Sequence, residues 1–133
     1  MSGFRWLDVR DIRMMHSRMI AEFGGSDGVR DDGLLESAVA RPQNLAAYGE
    51  PSLAQLAASL AYGIARNHAF VDGNKRVAFA IMVIFLRLNG FALRTTADDA
   101  EAFLIDEVIQ ARTPLPQIAT WIEEHIEETE MSS

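Results

Sequence analysis

His68-Ala-Phe-Val-Asp-Gly-Asn-Lys-Arg-Val-Ala-Phe-Ala-Ile-Met-Val-Ile-Phe-Leu-Arg-Leu88 joins a polar loop directly to an apolar run. From about Asn74 to Leu88 the apolar side chains fall on nearly every side of a helical wheel, which predicts a helix surrounded by others. Asn89-Gly90 supplies its stop. The unbroken apolar run, Val77 to Leu86, falls well short of the ~20 residues a membrane span needs. It therefore reads as the centre of a globular domain.

Working outward, Ser52 can cap a helix carrying Leu53, Leu56, Ala57, Leu60, Ala61 and Ile64, ending near Asn67. Further upstream, Ile12, Met15, Met19 and Phe23 recur at helical spacing, so a first helix spans about Asp8 to Phe23 and stops at Gly24-Gly25. Gly24 to Asp32 reads as a loop. Asp31-Asp32 can cap a short helix with Leu34, Leu35, Ala38 and Val39 on one side. Proline disfavours helix in the residue before it, so this helix is expected to end before Pro42, leaving Arg41 to Pro51 irregular.

Downstream, Phe91 to Thr95 alternates enough for a short extended piece, but one strand makes no sheet. Thr96 can cap a helix through Ala111. Thr113-Pro114-Leu115-Pro116 breaks the chain, and a last helix carries Ile118, Trp121, Ile122 and Ile126. Met14, Met15 and Met19 are expected in the core, and His16 and His125 at the surface. The whole predicts an all-α fold, a compact bundle of about six helices around a central apolar helix. Residues 1–133 make a single domain, with a frayed tail over residues 128–133.

Composition agrees with a folded domain: 49% of the 133 residues are hydrophobic. The formal net charge of −7 argues against non-specific nucleic-acid binding, which needs a basic surface. There are no cysteines, which excludes disulfides and thiolate metal sites. No signal-peptide pattern opens the chain, so the expectation is a cytoplasmic protein without a membrane partner.

The loop carries the chemistry. The first turn of a helix has unpaired N–H groups and a partial positive charge, and so attracts phosphate. Lys75 and Arg76 crowd that same turn, an arrangement that an arriving anion relieves. Gly73, lacking Cβ, lets phosphate oxygens approach the backbone. Asp72 is a hard oxygen ligand suited to Mg²⁺, and His68 can take a proton from a hydroxyl near neutral pH. Phe70 is expected to pack inward. Singly, each residue reads as an ordinary turn or a solvated charge. Their conjunction within nine residues points to phosphoryl or nucleotidyl transfer.

This segment resembles the Fic/Doc superfamily signature, His-x-Phe-x-(Asp/Glu)-Gly-Asn-(Gly/Lys)-Arg, and Lys75 resembles the Doc (death-on-curing) branch. The likeness extends over Gly24-Gly25, Gly28-Val-Arg-Asp31, Gly33-Leu-Leu-Glu-Ser-Ala38, Arg41-Pro-Gln43 and Phe85-Leu-Arg-Leu-Asn-Gly90. The resemblance implies an ATP- and Mg²⁺-dependent transferase. His68 would be the base and Asp72 the metal ligand, with Arg66, Gly73, Asn74, Lys75 and Arg76 around the nucleotide.

Fic-branch members carry a small residue where Lys75 stands and a second arginine where this chain has Phe79; they transfer a nucleoside monophosphate. The Doc pattern implies instead transfer of the ATP γ-phosphate to a hydroxyl of a translation factor, elongation factor Tu. That makes a toxin held in check by a cognate antitoxin. Ala80 departs from an asparagine of that pattern, and Ala69 from a frequent proline. Thr120 and Glu124 match an inhibitory helix only in part, because His125 follows, so inhibition is expected from a separate chain. AMP or UMP transfer, and a catalytically silent anion-binding module, are the competing readings. The resemblance also places the protein target against the Arg41–Pro51 segment, through backbone pairing.

Overall fold

The computed structural model describes residues 3–96, 98–99 and 114–129. Five helices are present among them: α1 (Val9–Phe23), α2 (Asp32–Tyr48), α3 (Leu53–Asn67), α4 (Asn74–Leu88) and α5 (Leu115–His125). The helix expected from Thr96 to Ala111 falls almost wholly outside the described residues. At its start Thr96 Oγ1 accepts the Asp99 N–H at 3.1 Å, as a cap would.

Local chemistry sets most of the boundaries. Asp8 and Asp11 form a reciprocal capping box at the head of α1, and Ser52 and Gln55 do the same for α3. Asp31 Oδ1 accepts the Leu34 N–H at the head of α2. α3 and α4 make the centre. α3 packs against α2, α4 and α5, and α4 against α1, α3 and the first strand below. Ile64, Ile81, Phe85, Leu86, Ile118 and Ile122 are among the side chains that interlock fully buried.

Two expectations need correcting. α2 does not stop before Pro42 but runs through it to Tyr48, so the Arg41–Pro51 segment is mostly helix. Proline inside a helix costs about 3 kcal/mol, since it has no N–H for the carbonyl four residues back and crowds it. Burial offsets that cost. Leu35, Ala38, Val39 and Pro42 form the buried face of α2, and a Cβ on Gly63 of α3 would lie only 3.2 Å from that of Ala38.

The second correction concerns the sheet and the tail. Phe91–Leu93 (β1) pairs antiparallel with Ile126–Glu128 (β2), with Phe91 opposite Glu128. Residue 128 is therefore ladder-bonded rather than frayed, and the Thr129 N–H still reaches the Gly90 carbonyl at 2.8 Å. The expected lone strand has a partner that leaves α5 without a loop. Just before β1, Asn89 exchanges two hydrogen bonds with the Arg5 backbone while Trp6 packs on Phe85. Among the described residues no helix is long and apolar enough to cross a membrane.

Candidate active site

The loop between α3 and α4 is held from both sides. α3 ends on His68, which adopts the left-handed conformation at φ 51° and ψ 47°. A non-glycine residue there is uncommon and must be held by its surroundings. Arg30 does part of this: its Nε donates to the His68 carbonyl at 2.8 Å and its Nη2 to that of Asn67 at 3.3 Å. The Ala69 carbonyl accepts the N–H groups of Arg30 and Asp31, and Val71 N–H donates to Gly28 O. Gly28 to Asp31 thus forms an extended strap along the loop, with Val29 bridged antiparallel to Phe70.

From the inside, Phe70 is buried and anchors the turn. Asn74 closes it: Oδ1 accepts the Phe70 N–H and Nδ2 donates to the Phe70 carbonyl, both at 3.0 Å. That side chain is committed to the loop. Of the anion-binding role assigned to Asn74, only the backbone N–H at the start of α4 remains available.

Asp72 faces outward. Its Oδ1 accepts the Gly73 N–H at 2.8 Å and its Oδ2 the Ser26 N–H at 3.3 Å. The approach to Ser26 depends on Gly25, where a Cβ would stand 2.8 Å from Asp72 Oδ2. The double glycine is therefore more than a helix stop; it makes room for a carboxylate. Gly73 enters α4 at φ 74°, and no side chain caps the helix. With no acidic residue in that first turn, its N–H groups keep their positive end open.

A cavity of about 510 Å³ lies in front of this helix end. His68, Asp72, Gly73, Asn74, Lys75 and Arg76 all line it, so six of the seven residues singled out from the sequence converge on one space. His68 is exposed and Lys75 half-buried, as a base and an anion-binding cation should be. Arg66 does not line the cavity. Its guanidinium lies 5.6 Å from the centre of the Tyr62 ring one turn back, because helical side chains lean toward the N-terminus. The Arg76 guanidinium sits over Phe23, 4.8 Å from the ring centre.

The opposite wall comes from α1 through His16, Met19, Ile20 and Phe23. His16 was expected at the surface; it is 1% exposed. The signal was in the spacing, because His16 follows Ile12 by one helical turn and so shares its inward face. His125 is also drawn in, half-buried, with Nδ1 2.6 Å from the Trp121 carbonyl oxygen and its ring stacked on Trp121. Met14 goes the other way and is half exposed.

Comparison with known proteins meets this geometry. Residues 6–86 match the Fic/DOC family, and that span contains every residue lining the cavity. The chain belongs to that family. The Toxin Doc of Mycolicibacterium smegmatis (strain ATCC 700084 / mc(2)155) is 48% identical over 101 residues, covering 73% of this chain and 77% of that protein. The Protein kinase doc of Escherichia phage P1 is 34% identical over 87 residues, covering 65% of this chain and 69% of its own length.

Proposed function

We propose that this protein is a Doc-type toxin that transfers the γ-phosphate of ATP to a hydroxyl group of a translation factor. The observation that carries the reading is the convergence of an exposed imidazole, a carboxylate, two cations and an uncapped helix start on one cavity. Phosphoryl transfer asks for positioning and charge neutralisation more than for covalent chemistry, and these groups supply both.

The chemistry divides among the residues as follows. His68 takes the proton of the acceptor hydroxyl at an imidazole nitrogen as the new O–P bond forms and the bond to the β-phosphate oxygen breaks, releasing ADP. Lys75, Arg76 and the leading amides of α4 neutralise the phosphate oxygens. Asp72 is the candidate Mg²⁺ ligand. Among the described residues no three His, Cys, Asp or Glu side chains gather as a metal site. A lone carboxylate suits an ion that arrives with the nucleotide and keeps several waters. Once bound, Mg²⁺ would add charge neutralisation at the phosphates.

The kinase assignment, rather than nucleotidyl transfer, draws on Phe79, which stands where a second phosphate-gripping arginine would be needed, and on the relative named a protein kinase. Elongation factor Tu is the substrate we favour, and a separate antitoxin chain the regulator. Helical backbone through Tyr48 pairs most of the N–H and C=O groups of that segment internally, which leaves only its C-terminal end for target docking by backbone pairing. The test incubates the protein and elongation factor Tu with ATP labelled at either the α or the γ position. Label on the factor from γ alone supports the kinase. Label from α would assign AMP transfer, and label from neither would remove this factor as substrate.

A further inference from the structure

We infer that His16 is a positioning residue that sets the Asp72–Gly73 peptide, keeping its carbonyl turned away from the phosphates and its N–H on the Asp72 carboxylate, an inference that rests on the nucleotide-dependent reading above. His16 lies on α1, is buried, and has no part in the proton transfer assigned to His68. Its ring lies flat on Phe70, with centres 3.9 Å apart and planes 10° from parallel. Its Nε2 lies 2.6 Å from the Asp72 carbonyl oxygen. A carbonyl oxygen can only accept, so Nε2 carries the proton and donates. At the other edge of the ring, Nδ1 stands 3.5 Å from Asp27 Oδ1. That carboxylate is held in turn by Ser17 Oγ and the Gly28 N–H.

In a planar trans peptide the C=O and N–H point in opposite directions. Pinning the Asp72 oxygen toward α1 therefore turns the Gly73 N–H away from α1, to where it meets Asp72 Oδ1. Nothing in glycine itself enforces this choice. Without a Cβ, Gly73 tolerates its φ of 74° and the alternatives equally, so the peptide before it is the easiest in the loop to flip. A flipped peptide would present a carbonyl oxygen to the phosphates, adding a repulsion there, and would release the Asp72 carboxylate from the Gly73 N–H. The loop needs an outside lock at this carbonyl, and His16 supplies one. The same ring clamps Phe70, two residues earlier, so one side chain fixes both the anchor of the loop and the peptide that leads into α4. A phenylalanine at 16 could stack without donating, whereas a glutamine could donate without stacking.

That separation provides the test. His16→Phe and His16→Gln are compared with the parent for thermal unfolding, Mg²⁺-ATP affinity by calorimetry, and kcat and KM on the protein substrate. With Phe the folded protein should bind Mg²⁺-ATP roughly tenfold more weakly, about the loss of one charge-assisted hydrogen bond, and raise the KM for ATP more than it lowers kcat. Gln should recover most of the affinity despite a lower melting temperature. Equal affinity for parent and Phe variant would overturn the inference, as would equal losses in both variants. His16→Leu serves the same comparison if the Phe variant does not fold. A crystal structure of the folded non-donating variant decides independently of nucleotide. An unmoved Asp72–Gly73 peptide would sink the role of His16. Failure of the parent to bind Mg²⁺-ATP would instead sink the proposed function.

Discussion

The two helix ends that flank the loop are built on opposite plans. At the C-terminal end of α3 the outgoing carbonyls are occupied: Arg30 holds those of Asn67 and His68, and two N–H groups hold that of Ala69. At the N-terminal end of α4, a few residues away, no side chain caps the helix and two cations crowd its first turn. One end is satisfied, and the other is left wanting an anion. The difference separates two duties. A proton acceptor must be held still before substrate arrives, whereas a phosphate site must keep its donors available for the substrate.

The sharpest way to break this contrast is at His68 itself. His68→Ala should lower transfer by roughly 10²–10⁴-fold and abolish toxicity on induction, while the melting temperature stays near that of the parent. A toxic alanine variant would mean that the satisfied end holds no base. Next in size is Asn74→Ala, which strips both hydrogen bonds from the buried Phe70 backbone. It should destabilise by about 2–3 kcal/mol in urea titrations, with the slope unchanged. A shift below a quarter of that would show that the loop is fastened elsewhere.

Arg30→Ala should lower stability by about 1 kcal/mol yet reduce kcat roughly tenfold, because it frees the backbone that carries the base. Equal kcat in the variant would confine Arg30 to capping α3. The smallest change in stability belongs to Lys75→Ala, expected within about 0.5 kcal/mol of the parent, with its effect concentrated in the KM for ATP. Unfolding on that substitution would contradict an open, substrate-facing cation.

These contrasts were unequally legible in the chain. The stops at Gly24-Gly25 and Asn89-Gly90, the Ser52 cap and the apolar run from Val77 are local signals, and each fell where the structure has it. Pro42 misled because a local penalty lost to tertiary burial, which no window around Arg41-Pro42 contains. The pairing of Phe91 with Glu128 was hidden for a related reason: strand partners far apart in sequence leave no shared pattern. At the site, the reactive loop was readable because its residues are contiguous. His16 and Gly25 were not, since their roles exist only where α1 and the turn after it meet Asp72.

The left-handed backbone of His68 sets this protein's durability against its activity. Holding an imidazole in that conformation carries a penalty of up to about 1–2 kcal/mol that glycine would escape. His68→Gly should therefore tolerate more heat than His68→Ala, although both lack the proton acceptor. Selection for thermal endurance alone would favour a glycine here and leave a sturdier, inert chain, so the histidine persists only where its chemistry is in demand.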